Sequence, residues 1–160
     1  MQAAVGLAQL DKLPKFIETR KTNFNLLYEG LKDLEDRFIF PEATPYSEPS
    51  WFGFPLTVKE SAGFTRDEIV KYLEEHKIQT RMLFSGNIIK HPCFDELRSS
   101  EHAYRVVSKT SSSHSSIDSP LLPETDRVMC DTFWIGVYPG LTDEMIDFMI
   151  QKIRELVEKS

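Results

Sequence analysis

The stretch TRMLFSGNIIKHPCF, from Thr80 to Phe94, combines residue types that can hold an anionic ligand. Arg81 lies at the start of an apolar, strand-like run, and arginine binds phosphate or carboxylate through its planar guanidinium group. Ser85, Gly86 and Asn87 end that run with exposed backbone and short polar groups, as in a pocket rim or an ordinary turn. Two interpretations are therefore open: ligand binding by Arg81, or a structural ion pair of Arg81 beside a turn.

Two aromatic residues ahead of this stretch add candidate stacking surface. Trp51 and Phe54 lie in WFGFPLTV, a segment typical of a strand, and flat rings of this kind stack on bases and sugars. Gly53 and Pro55 in the same segment indicate a sheet edge, a bulge or the close approach of another group. The two rings extend the candidate binding surface towards a base or a sugar.

Signatures of catalysis are absent from the sequence. It contains no GxSxG, no P-loop, no GxGxxG and no HExxH. His91 and Cys93 flank Pro92, which favours a small buried thiol and a surface imidazole over a catalytic pair. A triad with His114 and Asp118 is disfavoured, because the serine-rich segment around them offers no rigid placement. We predict no catalytic residue and no metal site in this chain.

Composition and charge narrow the class of protein. The net charge of -6 over 160 residues argues against a nucleic-acid partner, because phosphate binding needs a basic face. The longest apolar runs are far shorter than the roughly 20 residues that span a bilayer. Cys93 and Cys130 are the two cysteines, and they lack the CxxC spacing. We predict a cytoplasmic protein with one domain over residues 1–160 and no membrane contact.

The elements that must position these residues follow from hydrophobic spacing. We predict helices over residues 1–10, 13–34, 65–76 and 124–130 and from 143 onwards, and strands over 37–40, 51–58, 78–84 and 132–138. Four short strands with helices on one face make an α+β layer. The apolar stripe of the second helix and that of the last helix are predicted to face the core.

Capping residues mark the predicted helix starts. Thr65 and Glu68 form a capping-box pattern, in which each side chain satisfies a free backbone N–H near the other. Thr142 is placed to cap the last helix. Asp11 is placed to cap the second helix, with Pro14 in its first turn, where a missing N–H costs nothing.

Two features depart from an ordinary domain. The chain opens inside an apolar helical segment, MQAAVGLAQL, without a cap. We therefore expect Met1 to be an internal methionine and the chain to be a fragment whose first helix promotes self-association. Residues 108–122 are rich in serine and poor in apolar residues, which predicts a flexible loop.

Several segments, in order along nearly the whole chain, resemble one protein family. They are MQAAVGLAQLDKLPKFIETRKTNF, SEPSWFGFPLTV, KIQTRMLFSGN, HPCF and TDRVMCDTFWIGVYPGLTDEMI. They resemble the small C-terminal domain of the DegT/DnrJ/EryC/StrS sugar aminotransferases, which are pyridoxal phosphate enzymes of the aspartate aminotransferase fold. The resemblance implies a short, mostly antiparallel sheet with helices packed on one face, and a large cofactor-binding domain outside these residues.

One variation within the family resemblance points to a branch. The chain has MLFSGN where aminotransferases carry Tyr-Tyr-Pro and Pro-Leu-His sequences. With FWIGVYPGLT, this resembles the CDP-4-keto-6-deoxyglucose 3-dehydrases of lipopolysaccharide biosynthesis. That resemblance implies pyridoxamine phosphate, loss of the sugar C3 hydroxyl, a homodimer, an iron–sulfur centre in the large domain and a reductase partner. Cys93 and Cys130 do not match the cysteine pattern of that centre.

The resemblance also implies substrate-binding residues in this chain. Arg81 would help to hold an anionic nucleotide sugar, and the sugar pocket would be shaped by a set of neighbours: Phe84, Ser85, Gly86, Asn87 and Trp51. Small-domain residues of this kind position a substrate, while the large domain carries the cofactor chemistry. The 160-residue chain alone is expected to be inactive.

Two alternatives stay open. The first is a sugar 4-aminotransferase of the same family, which a lysine at the cofactor position of the large domain would identify. The second is a stand-alone α+β module that binds a small ligand without pyridoxal chemistry.

Overall fold

The computed structural model describes residues 2–96 and 122–160. The helices of these ranges are α1 (Gln2–Leu10), α2 (Leu13–Leu31), α3 (Arg66–Glu75), α4 (Pro123–Asp131) and α5 (Asp143–Lys159). The strands are β1 (Phe38–Ile39), β2 (Gly53–Val58), β3 (Thr80–Met82) and β4 (Thr132–Gly136). Except for Leu122, the loop predicted at residues 108–122 lies outside the described residues, as do His114 and Asp118.

The chain forms two compact units. One contains Met1–Met82 and Asp131–Ser160, and the other contains Leu83–Cys130. The first unit holds the whole sheet and most of the helical residues. The single domain expected from the sequence stays a prediction.

The sheet has the strand order β1-β2-β4-β3, and every neighbouring pair is antiparallel. Side chains alternate between its two faces, as the pleat requires. The central part of the inner face is fully buried and apolar, and it consists of Phe54, Leu56, Phe133 and Ile135. Pro55, Thr57 and Trp134 alternate with them and are half-buried.

Three helices contribute buried residues to the same core as the inner face of the sheet. These residues are Phe24, Leu27 and Leu31 of α2, Ile69 and Leu73 of α3, and Ile146, Met149 and Ile153 of α5. Their spacing is helical, so the core stripes predicted for the second and last helices are confirmed there. The α+β class with a short antiparallel sheet is confirmed as well. Helix α1 contains no buried residue.

The caps of α3 and α5 match the sequence predictions. The Glu68 amide donates to Thr65 Oγ1 at 3.3 Å, and the Thr65 amide donates to Glu68 Oε2 at 2.7 Å, which completes a capping box. The Thr142 hydroxyl accepts from the Met145 amide at 3.3 Å. The cap predicted at Asp11 is wrong. Lys12 holds the N-cap position of α2 without a side-chain bond, because Asp11 lies in the turn that follows α1.

Gly53 and Pro55 have distinct roles in β2. The strand lies between β1 and β4, but β1 does not reach Gly53 and Pro55, which therefore lie where one side of β2 is unpaired in the described sheet. A Cβ atom at Gly53 would lie 2.4 Å from Trp134 Cε3, so this glycine permits a close approach. Pro55 pairs with Trp134 on the β4 side, while β1 pairs only with Thr57 and Val58. A residue without an amide proton is tolerated there because β1 does not extend that far.

We predict that Gly53→Ala lowers the free energy of unfolding by about 2 kcal/mol, because the added methyl group overpacks against the Trp134 ring. The control is Gly6→Ala in α1, where an added Cβ meets nothing within 4 Å. That change is expected to be neutral or to stabilise by at most about 1 kcal/mol, through helix propensity. Urea unfolding followed by circular dichroism measures both. Equal stability of the two variants would contradict the proposed contact.

Candidate functional site

The loop after β3 and the start of α4 form an open pocket within the unit Leu83–Cys130. Its volume is about 360 Å³, within the range of small-molecule sites. It is lined by Leu83, Phe84, Ser85, Gly86, Glu124, Thr125 and Val128. Three residues predicted from the sequence to bind substrate thus lie in one pocket. Glu124 and Thr125 were not foreseen, because they come from a helix distant in sequence.

Asn87 holds the loop in place rather than lining the pocket. It is only 2% exposed. Its Nδ2 donates to Asp126 Oδ1 at 2.8 Å, and its Oδ1 accepts from the Ile89 amide at 3.2 Å. Its own amide contacts Met129 Sδ at 3.3 Å. The role predicted for Asn87 in shaping the pocket stays a prediction, and its geometry allows that role only through the loop backbone.

Asp126 is the anchor of this arrangement. Besides the bond from Asn87, its Oδ2 accepts a hydrogen bond from Lys90 Nζ at 2.7 Å. The Lys90 bond, followed by that from Asn87, holds the pKa of Asp126 below its usual range. No local signal in the sequence marks Asp126, since Asn87 is 39 residues away.

The backbone of the loop has two residues in the left-handed region. Gly86 has φ 61°, a backbone conformation that favours glycine, and a Cβ atom there would lie 2.4 Å from Met129 Cγ. The backbone conformation and the lack of space therefore both require glycine at this position. Phe84 has φ 44°, which is rare for a residue with a large side chain, and its ring is 84% exposed. Ser85 is fixed by its carbonyl oxygen, 2.6 Å from His91 Nε2. The fold therefore holds the Phe84 ring out into solvent at the pocket wall.

Arg81 lies in the other unit, on β3 opposite Trp134, and is exposed. With the Gln79 amide oxygen turned towards it, that oxygen accepts from both terminal guanidinium nitrogens at 3.1 and 2.9 Å. This is an internal contact with a neutral amide, not the ion pair that the structural interpretation predicted. The guanidinium still reaches solvent, so its role in binding an anionic substrate stays a prediction.

Glu74 stabilises the chain just before Arg81. Its Oε1 accepts from the Thr80 amide at 2.7 Å and from the Thr80 hydroxyl at 2.8 Å. Those two bonds lower the pKa of Glu74, and the charge of Arg81 contributes less. The start of β3 is thereby tied to the end of α3.

The two aromatic residues ahead of the loop differ in exposure. The Trp51 ring stacks on Phe24, with centroids 5.0 Å apart and an interplanar angle of 10°. Trp51 is half-buried, so one face of its ring is already covered by the protein. Its predicted role as a substrate contact is untested. Phe54 is fully buried in the core, so the stacking surface expected of it is wrong.

The cysteines belong to no metal-binding cluster in the described ranges. Cys93 and Cys130 are free and exposed, so the buried thiol expected at Cys93 is wrong. Cys93 lies in a single turn of 3₁₀ helix, Pro92–Phe94, which has no buried residue. Among residues 2–96 and 122–160, no three His, Cys, Asp or Glu side chains are placed to hold a metal ion.

The pocket does not have the chemistry of a pyridoxal phosphate site. None of the described residues that line it is basic, and its one charged member is Glu124. Lys90, which belongs to the same unit, is paired with Asp126. A phosphate group would find no counter-charge in this wall.

Within the described ranges, no helix is long and apolar enough to cross a membrane.

We predict that Asp126→Ala loosens the loop, because Asn87 then loses its buried acceptor and Lys90 its ion pair. Cleavage between residues 83 and 91 in limited proteolysis should become on the order of tenfold faster, the factor expected for one lost hydrogen bond to a charged group. The exposed Asp147, on α5, supplies the control variant Asp147→Ala, which should leave the cleavage rate unchanged. Unchanged cleavage in Asp126→Ala would show that the loop does not depend on this anchor.

The same anchor predicts a pH dependence. Because folding lowers the pKa of Asp126, its contribution to stability is present above the ordinary carboxyl range and is lost as the pH falls through the lowered value. The protection factors of the Asn87 and Ile89 amides, which are their exchange rates corrected for the intrinsic pH dependence of exchange, should therefore fall on acidification in the wild type. In Asp126→Ala these protection factors should already be low at neutral pH and should lack this acid-dependent step.

Comparison with known proteins identifies a matching family and several relatives of this chain. The profile described as the DegT/DnrJ/EryC1/StrS aminotransferase family matches residues 1–154. The lipopolysaccharide biosynthesis protein RfbH of Salmonella typhimurium is 48% identical over 97% of this chain and 32% of its own length. A dTDP-4-dehydro-2,6-dideoxy-D-glucose 3-dehydratase of Saccharopolyspora spinosa is 44% identical over the whole chain and 31% of its own length.

A solved structure agrees with these sequence relatives. The E. coli GDP-4-keto-6-deoxy-D-mannose-3-dehydratase with bound hydrated PLP superposes with a TM-score of 0.71 at 25% identity. The match covers 93% of this chain and 33% of that structure. The chain thus spans about a third of the length of the relatives that it matches.

Proposed function

This chain belongs to the DegT/DnrJ/EryC1/StrS aminotransferase family, and from that membership we propose that it is the small domain of a nucleotide-sugar 3-dehydrase. The full-length protein would remove the C3 hydroxyl of CDP-4-keto-6-deoxyglucose in lipopolysaccharide or deoxysugar biosynthesis. The observation that carries this proposal is the identity of nearly half over almost the whole chain to a lipopolysaccharide biosynthesis protein. The similarly close 3-dehydratase relative supports the reaction type.

Residues of this chain would bind and orient the substrate. Arg81 is exposed on β3 and offers a planar, charged fork to a diphosphate. The pocket of the other unit offers an aromatic ring and polar groups. Pyridoxal or pyridoxamine phosphate would be held outside these 160 residues, where it supplies the electron sink of the reaction. The proposal includes a homodimer, an iron–sulfur centre outside this chain and a reductase as electron donor.

The reaction type is tested with the full-length protein and CDP-4-keto-6-deoxyglucose. With pyridoxamine phosphate, a reductase and reduced nicotinamide cofactor, mass spectrometry should detect a sugar that has lost its C3 oxygen. The 160-residue chain under the same conditions should give no product. A product that retains the C3 hydroxyl and gains an amino group, formed with pyridoxal phosphate and L-glutamate, would establish the sugar aminotransferase instead. The family is described as an aminotransferase family, which favours the sugar aminotransferase as the second candidate.

We predict that Arg81→Ala in the full-length enzyme raises KM for the nucleotide sugar by roughly tenfold or more, the loss expected for one charged hydrogen bond. Arg81→Lys should recover only part of it, because lysine keeps the charge and lacks the fork. Gln79→Ala is the matched control, since it removes the internal partner of Arg81 and leaves the guanidinium in place. Steady-state kinetics and thermal unfolding are measured together. Unchanged kinetics with a loss of stability in both alanine variants would show that Arg81 is purely structural.

A further inference from the structure

The sulfur of Met129 is one of two groups through which α4 holds the loop after β3. The backbone amide of Asn87 donates to Met129 Sδ at 3.3 Å, and the side chain of Asn87 donates to Asp126 Oδ1 at 2.8 Å. Met129 follows Asp126 by three positions, so both acceptors lie on one face of α4. Because Asn87 is only 2% exposed, water does not readily replace the sulfur as acceptor for its amide.

The loop backbone packs closely against the same sulfur. A Cβ atom built at Gly86 would lie 2.9 Å from Met129 Sδ and 2.4 Å from Met129 Cγ. Loop and thioether are therefore too close for even a methyl group between them. An atom added to the sulfur on this side would displace the loop or turn the Met129 side chain away from it.

The loop that these contacts hold is strained. Phe84 has φ 44°, and its ring is 84% exposed, so the ring itself has little packing that would fix this conformation. Such backbone conformations persist only where the surrounding contacts over-determine them. Loss of one contact to α4 would let Phe84 relax towards an ordinary conformation, and the pocket wall that it forms would move with it.

The thioether of Met129 can also be oxidised. Met129 is the one methionine in the sequence of the unit Leu83–Cys130, and it is half-buried, so a small oxidant can reach the side chain. With a hydroperoxide as oxidant, the O–O bond breaks and an S–O bond forms, so that the sulfur is oxidised and the peroxide is reduced. The proton of the transferred oxygen goes to the other oxygen, which leaves as water or an alcohol. The product is a sulfoxide, which is larger and more polar than the sulfide.

We propose that Met129 is an oxidation-sensitive latch: its sulfide form holds residues 83–87 against α4, and its sulfoxide form releases them. The sulfide accepts the Asn87 amide and packs against Gly86, whereas the oxygen of a sulfoxide needs space that this contact lacks. A methionine sulfoxide reductase would reverse the change, because sulfoxide formation is reversible. The latch is independent of the proposed function, since it involves the loop and α4 whatever ligand the pocket binds.

The test uses the full-length protein with Cys93→Ser and Cys130→Ser, because these exposed thiols would react with peroxide as well. After treatment with hydrogen peroxide, mass spectrometry of peptides gives the fraction of Met129 sulfoxide, and limited proteolysis gives the rate of cleavage between residues 83 and 91. The oxidised protein should be cleaved about fivefold faster, the factor expected for the loss of one neutral hydrogen bond. Methionine sulfoxide reductase with a dithiol should restore the original rate.

Two further variants decide whether Met129 is responsible. Met129→Leu keeps an apolar side chain beside Gly86 and cannot form a sulfoxide, so its cleavage rate should be the same with and without peroxide. Met145→Leu is the matched control, since Met145 is 50% exposed on α5 in the other unit, and it should keep the full acceleration. The latch is disproved if the acceleration persists in Met129→Leu or if complete oxidation of Met129 leaves cleavage unchanged. It is equally disproved if Met129 stays reduced while Met145 is oxidised.

Discussion

The antiparallel pairing of β2 with β4 is the constraint on which the larger unit depends. It is the longest strand pair of the described sheet, running from Gly53 opposite Gly136 to Thr57 opposite Thr132. Because side chains alternate, this register places Phe54 and Phe133 on the same inner face, where α2, α3 and α5 add their buried residues. A slip of one residue would turn that face towards solvent. The position of Arg81 follows from the same pair, since β3 is aligned on β4.

The pocket depends on a separate interaction. The bond between Asn87 and Asp126 joins a loop to a helix across a long stretch of chain, and it leaves the buried Asn87 side chain with both of its ends satisfied. A buried amide without such partners would destabilise the folded state. Residues that form the pocket and residues that hold it are therefore different sets: Phe84 and Glu124 face the open space, and Asn87 and Asp126 maintain it.

Features with a local cause were predictable from the sequence, and features with a distant cause were not. The capping box of Thr65 and Glu68 is complete within four residues, so pattern alone identified it. The close approach at Gly53 was anticipated, although its partner, Trp134, is fixed only by the sheet register. Asp126 and Glu124 gave no signal, because a short acidic helix start looks the same whether or not a loop lies against it. The exposure of Cys93 likewise depends on packing rather than on composition.

The position of the smaller unit in the sequence allows its length to change during evolution. The whole unit Leu83–Cys130 is inserted in sequence between β3 and β4, two strands that pair directly with one another. The entropy lost on closing such an excursion grows only with the logarithm of its length, so doubling the insert costs about 0.6 kcal/mol. Material can thus be added to or removed from this connection at little cost to the β3–β4 ladder. The length and sequence of this insert could therefore diverge while the sheet and its core remain unaltered.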